Sequence, residues 1–476
     1  MNEQIWKLSL LIILPLLSGI LAFTSDKLSK TLSFLGSLLT LGLVLMCIPY
    51  AYEGQGVSVS NIWIESLGAT FSLQLGGNNF LLILLTAILF PLIIAFRKAG
   101  AVDQPSRYYG LMMLSMSGLM GVFLAHDLLL FYFFWELALI PVYFLASLWG
   151  GEKRIKVAFK FFVYTFLGSL IMLAGILYIY IQNPNKSFDY QSVVSVCNNL
   201  SDVYQQVLFW MFFIAFAIKM PIFPLHTWQP DAYEQTLTPV TIVLSAIMVK
   251  MGLYALMKWL MPLFPRGFES AQTIIMILSA VSIIYGSLAA MAQTNIKRLA
   301  AYSSIAHIGL MALAVFANTS AGNEAAVLQM FNHGINIAGM WFVIWLLENK
   351  YDTQDMGSMG RLANIAPGLS ILFVIISFAN IGLPLTNGFI GEFLLFHGIF
   401  QSAHPYHVAF LVIAGLGVIL GAVYTLNMLQ KVVFFQNNEN HSFSIQTTEW
   451  IVLIIIVAII LVLGVYPQLV MQWINF

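Results

Sequence analysis

An all-helical integral membrane protein with about fourteen transmembrane helices is predicted by three observations. Sixty per cent of the 476 residues are hydrophobic and 8% are charged, whereas soluble domains carry roughly a quarter charged residues. The apolar residues run in blocks of about twenty, the length that crosses a bilayer core about 30 Å thick. Basic residues collect in alternate loops between those blocks. Net charge is zero, so no basic face is expected for nucleic acid. The two cysteines, Cys47 and Cys197, exclude a disulfide framework and a cysteine-based metal site.

The spans are expected near 5–23, 31–50, 78–96, 108–124, 126–148, 158–181, 206–225, 236–261, 271–291, 298–317, 324–347, 367–401, 407–430 and 449–470. The first reads as a retained span: no clear cleavage site follows it and the next segment is also apolar. The seventh is irregular because Pro221 and Pro224 interrupt it. The twelfth is irregular because Gly382-Leu-Pro384-Leu-Thr-Asn-Gly388 reads as an unwound turn.

Loop charge tests that division. Loops after odd-numbered spans hold Lys27, Lys30, Arg97, Lys98, Arg107, Lys153, Arg154, Lys156, Lys160, Lys297, Arg298, Lys350, Arg361 and Lys431. The opposite side holds Lys7, Lys186, Lys258 and Arg266. By the positive-inside rule, both termini face away from the cytoplasm.

Spans 4–8 and 9–13 are five-span blocks of similar length, and in each the fourth span is proline-broken and carries a central charge, Lys219 or Glu392. Blocks with an odd number of spans are inverted relative to each other, a pattern that points to a transport pathway. The division is therefore a three-helix region (1–107), a first repeat (108–261), an inverted second repeat (262–430) and a C-terminal helix (431–476).

Lys219 lies in Trp210-Met-Phe-Phe-Ile-Ala-Phe-Ala-Ile-Lys219-Met220-Pro221, where a lysine costs about 2.5–3.5 kcal/mol on insertion scales. Glu136, Lys250, His307, His333 and Glu392 fall at similar depth when residues are counted at about 1.5 Å each. Glu136 and Lys219 form the natural pair. On separation the lysine loses its stabilising anion and gives up a proton. Lys250, His307 and His333 can relay it, and Glu392 is the expected terminal acceptor.

Simpler readings stand beside these. A lone membrane histidine is often packing, and one Glu–Lys pair can be structural glue between helices. Lys160 is expected to snorkel to the surface. His226, Trp228 and Asp231 either line a cytoplasmic inlet or satisfy backbone freed by the break; both readings remain open. No Gly-rich phosphate loop, nucleophile elbow or ligand set for iron–sulfur or haem is found. Uphill movement of ions would draw on a gradient or a partner.

Four motifs carry a likeness: Phe134-Trp-Glu136-Leu with Pro141, Lys219-Met-Pro-Ile-Phe-Pro-Leu-His226-Thr-Trp-Gln-Pro-Asp231-Ala, Lys250-Met-Gly, and Lys297-Arg-Leu-Ala-Ala-Tyr-Ser-Ser-Ile-Ala-His307-Ile-Gly. Together they resemble the antiporter-like, proton-translocating subunits of respiratory complex I, a family that includes the large subunits of multisubunit sodium/proton antiporters. In Asn387-Gly-Phe-Ile-Gly-Glu392-Phe the glutamate resembles the M-type (chain 4) branch, whereas L-type, N-type and antiporter relatives usually have lysine. After Pro230-Asp231-Ala232 the family usually has histidine; Tyr233 stands here, so a histidine at that inlet is not carried over.

The resemblance implies Glu136–Lys219 as a switchable pair, Lys250, His307 and His333 as the relay, and Glu392 as the exit residue. It implies a subunit of proton-pumping NADH–quinone oxidoreductase in a bacterial inner (plasma) membrane, with both termini periplasmic. L-type and N-type antiporter-like subunits and the lipid bilayer are the expected partners. FMN, iron–sulfur clusters and quinone are expected in partner subunits, and no cofactor in this chain. The alternatives are a sodium/proton antiporter or membrane-bound hydrogenase subunit and, from another class, a structural membrane scaffold.

Overall fold

The computed structural model describes residues 2–52, 56–96, 102–435 and 444–474, with side chains from Trp6 onward. Arg97 and Lys98, which entered the loop-charge count, lie outside the described residues, as do 436–443 of the expected C-terminal region.

Each of the fourteen expected segments falls on helix. Ten helices among the described residues are long and apolar enough to cross a membrane. The other expected segments fall on Asn2–Ala22, Pro105–Leu124, Asp202–Lys219 and the pair Pro367–Asn380 and Asn387–Phe400, which are shorter or interrupted by polar residues.

The chain divides into two compact units. The first comprises residues 1–220 and 247–273 with the tail from Trp473; the second comprises 221–246 and 274–472. One of the boundaries between them, after Ala246, falls inside Val243–Met248, a π-helical stretch of the span Thr238–Leu263.

In the first unit, close helix contacts depend on missing side chains. A Cβ on Gly118 would come within 2.5 Å of the Ala138 nitrogen, and one on Gly121 within 2.2 Å of the Phe134 ring. Helix Pro105–Leu124 therefore lies directly against helix Leu128–Leu148, which carries Glu136. Phe131, Trp135, Phe216 and Trp259 pack as tilted or edge-on aromatic pairs. Such pairs add about 0.5–1.5 kcal/mol each beyond burial.

The sequence reading assigns no element to 51–77, yet an antiparallel hairpin forms there, Val57–Ile64 with Ala69–Leu75. Its alternation is plain in Ala69-Thr-Phe-Ser-Leu-Gln-Leu75, where every second residue is apolar, the mark of a strand with one covered face. Gly68 closes the turn at φ +62°, and a Cβ there would lie 2.0 Å from the Lys186 carbonyl oxygen. Glycine is required on both counts.

In the second unit, the expected break of the twelfth span is present. Helix Pro367–Asn380 ends, and Asn387–Phe400 begins after six intervening residues. Lipid cannot satisfy the backbone groups this exposes, so the protein must. Asn332 donates to the Asn387 carbonyl at 2.9 Å, and Asn336 donates to the Ala379 carbonyl at 3.1 Å. Both amides come from helix Ser320–Tyr351. Gly388 rests on the Ala379 carbonyl, where a Cβ would approach to 2.0 Å.

Candidate functional site

In the first unit, helix Asp202–Lys219 ends at Lys219 itself, ahead of Pro221. A cation there complements the negative end of the helix dipole. Lys219 is 2% exposed, and its ammonium finds no hydrogen-bond partner among the described residues. It sits over two aromatic faces instead, 5.5 Å from the Trp135 ring centroid and 5.9 Å from that of Phe161. Desolvated cation–π contacts of this kind reach about 2 kcal/mol.

Glu136 follows Trp135 in sequence and lies within electrostatic reach of Lys219. The two do not close into an ion pair, and Glu136 Oε1 is buried without a hydrogen-bond partner among the described residues. Ser169 lies beside the carboxyl, but its hydroxyl donates to the Phe166 carbonyl at 2.9 Å. The structure thus places acid and lysine together in one unit with the pair open.

Lys250 is fully buried. It starts the short α-helical run Lys250–Ala255, between the π-helical stretches Val243–Met248 and Leu256–Leu260. Wide turns of this kind recur where a helix serves a functional site. Gly252 packs the Lys250 segment onto the end of the Lys219 helix, since a Cβ there would meet the Phe216 carbonyl at 2.7 Å and Met220 at 2.8 Å.

The second unit holds a tighter arrangement. His307 Nδ1 lies 2.8 Å from the Ser303 carbonyl oxygen, and Nε2 lies 2.8 Å from that of Asn380. Carbonyl oxygens only accept, so a ring with a hydrogen on both nitrogens satisfies this geometry. Nε2 is also 3.5 Å from Glu392 Oε1. The Asn380 carbonyl is available because its helix stops there. The His333 ring is 5.2 Å from the His307 ring, centroid to centroid. Gly382 has φ +64°, and a Cβ on it would lie 2.2 Å from Glu392 Oε2. The unwound turn expected from the sequence therefore seats the carboxylate as well as breaking the helix.

His226, Trp228 and Asp231 lie at the start of the second unit. His226 stacks near Phe223 and meets Tyr285 edge-on at 4.9 Å. The Phe223 backbone N–H donates to Ser282 at 2.9 Å. Asp231 and Glu234 both hold Arg298, at 3.1 and 2.8 Å. Tyr233, where the family usually has histidine, is fully buried and meets Trp341 edge-on. Nearby, Lys297 pairs with Glu348 at 2.8 Å, and Thr238 and Gln354 also donate to that carboxylate. Lys297, placed in a loop from sequence, is 3% exposed.

Sequence reasoning missed the partners more than the charges. Trp135 and Phe161 beside Lys219, the Asn380 carbonyl beside His307, and Gly382 beneath Glu392 were not singled out. Only Gly382 carried a signal, as the first residue of the unwound run.

Residues 125–419 match the family described as NADH:quinone oxidoreductase/Mrp antiporter, TM. This chain belongs to that family. The matched stretch contains Glu136, Lys219, Lys250, His307, His333 and Glu392. NADH-quinone oxidoreductase subunit M from Rhodobacter capsulatus is 38% identical over 91% of this chain and 86% of that one. A chain of respiratory complex I from Thermus thermophilus superimposes with a TM-score of 0.89 at 30% identity, covering 98% of this chain and 97% of that one. A chain of the Mrp complex from Dietzia sp. shares the fold, with a TM-score of 0.88 at 18% identity over 99% and 96% of the two chains.

Proposed function

We propose that this chain is a membrane-arm subunit of NADH–quinone oxidoreductase that moves protons from the cytoplasm to the outer side of a bacterial inner membrane. The observation that carries this reading is the contact of His307 with Glu392 across a broken helix. A carboxylate at that position pairs with the imidazolium and accepts its proton, whereas a protonated lysine there would repel it. Lys219 and Lys250, buried in the first unit, are the donors and receivers upstream. Glu136 biases Lys219: with the acid close the ammonium holds its proton, and with it distant the desolvated lysine gives the proton up.

The chemistry of NADH and quinone belongs to other subunits in this reading, with FMN and iron–sulfur clusters there and none in this chain. L-type and N-type antiporter-like subunits are its neighbours in the bilayer, and both termini are periplasmic. Antiporter membership is the second reading, favoured by the shared fold with the Mrp chain; Glu392 in place of lysine weighs against it.

The test is Lys219→Ala in the assembled complex, reconstituted into vesicles. Assembly is expected to persist while protons moved per NADH oxidised fall. An unchanged ratio would overturn the reading and leave the six residues as structural glue. Sodium-dependent proton movement would favour the antiporter.

A further inference from the structure

A polar stripe in the first unit leads outward from Lys250, and its outer members take no part in the roles above. Lys250 and Tyr254 lie four residues apart in the α-helical run Lys250–Ala255, about 6 Å of rise and on one face, and Lys258 follows in the π-helical stretch Leu256–Leu260. Burial falls along the stripe. Lys250 is 0% exposed and Tyr254 3%, while Lys258 and His126 are each only part-buried.

The far end is a connected network. Lys258 Nζ donates to Gln74 Oε1 at 2.5 Å and lies 3.1 Å from His126 Nδ1. It sits 4.6 Å above the Tyr190 ring, on which His126 also stacks at 4.7 Å. The Tyr254 hydroxyl donates to the Phe123 carbonyl at 2.9 Å. Asn79 donates to that same carbonyl and to the Gln74 carbonyl, both at 2.7 Å. The tyrosine and the outer lysine are thus tied through one asparagine and one strand.

An ammonium has only hydrogens to offer, so His126 Nδ1 is the acceptor and its ring hydrogen is on Nε2. A proton passed from Lys258 to Nδ1 leaves the amine neutral. The Nε2 hydrogen then departs to water, and the imidazole is neutral again. Burial first, and then the Lys258 charge, hold the His126 imidazole down at about 3, and the second of these causes ends when the amine becomes neutral. Lys258 stands on the side that carries few basic residues, the outer side in the reading above.

We propose that Lys258 and His126 form a proton-release site of the first unit, fed from Lys250, with Tyr254 positioning the network through the Phe123 carbonyl, on a route that does not pass through Glu392. The inference rests on the proton-translocating reading. Its rival is a structural clamp that pins the hairpin strand Ala69–Leu75 to the end of the span.

Lys258→Arg separates the two. Arginine keeps a cation over Tyr190 and a donor for Gln74, but it does not give up its proton. A clamp is indifferent to that change; a release site is blocked by it. In vesicles holding the assembled complex, Lys258→Arg is expected to assemble normally and to lower protons moved per NADH oxidised by about half the loss seen with Lys219→Ala. Lys258→His, which titrates, is expected to restore part of that ratio, and Tyr254→Phe to lower it without loss of assembly. If Lys258→Arg does not assemble, Tyr254→Phe decides by the same ratio. Parent ratios in these variants, with a reduced ratio in Lys219→Ala, would overturn this inference alone. Parent ratios in all of them, Lys219→Ala included, would overturn the proton-translocating reading as well.

Discussion

In the first unit an acid and a cation stand near each other without touching; in the second they touch. Lys219 rests on Trp135 and Phe161 with Glu136 held off, whereas Glu392 lies 3.5 Å from His307 and is seated on Gly382. Both arrangements use a broken helix to bring charge to bilayer depth. The difference lies in what surrounds the charge. Aromatic faces tolerate a cation without demanding an anion, while carbonyls from a helix end and a carboxylate hold an imidazolium in fixed geometry. One break leaves a charge held only by ring faces, the other a charge gripped by oxygen atoms.

The comparison breaks most visibly if the gripped pair is reversed. Glu392→Lys places an ammonium where the carboxylate faces His307, and like charges about 4 Å apart cost about 4 kcal/mol at an effective dielectric of 20. Proton movement by the reconstituted complex is expected to be lost; full activity would show that acid chemistry is not needed there. Next is Gly382→Ala. Positive φ and the contact with Glu392 together predict a cost of about 1–3 kcal/mol. It should appear as a lower melting temperature of the purified assembly and a reduced proton ratio.

Trp135→Leu sharpens the other side. Removing one ring from beneath Lys219 forfeits up to about 2 kcal/mol of cation–π attraction. It is expected to draw the lysine toward Glu136, seen as a shorter separation in a structure of the variant. An unmoved lysine would show that the rings do not set its position.

The smallest effect is one of pH. His126, in the turn before helix Leu128–Leu148, has its imidazole held at about 3 by burial and by Lys258. A base depressed on folding binds fewer protons in the folded state, so this stability is present above the unfolded value of about 6.5 and is lost as pH falls toward 3. Lowering the pH from 7.5 to 5.5 is expected to cost about 1 kcal/mol. Thermal unfolding at the two values measures it, and His126→Gln should remove the difference.

The parts of this fold readable in sequence were those that lipid makes expensive. A lysine in an apolar run, a proline inside a span and a glutamate after Gly-Leu-Pro stand out because the bilayer penalises each. The two helix breaks at Lys219 and after Asn380 are where the prolines and glycines put them. Contacts made by ordinary residues were not readable. Trp135 and Phe161 look like any other aromatics of a membrane protein, and nothing in one sequence says which ring lies under a lysine. That Glu136 and Lys219 are coupled follows from charge; that their pair is open is set by where the packed helices hold the two side chains, which one sequence does not show. The hairpin at 57–75 had its signal in the alternation of Ala69–Leu75. A search for blocks of twenty apolar residues passes over segments that short.

The aromatic seat of Lys219 has a consequence for timing. An aromatic ring attracts a positive charge but has no site to take a proton. A lysine that leaves its acid for the rings of Trp135 and Phe161 can therefore arrive there still protonated. Parting from the acid and surrendering the proton become two events, with a resting stage between them. Backflow to Glu136 is then opposed before the proton has moved on, which is what a ratchet requires.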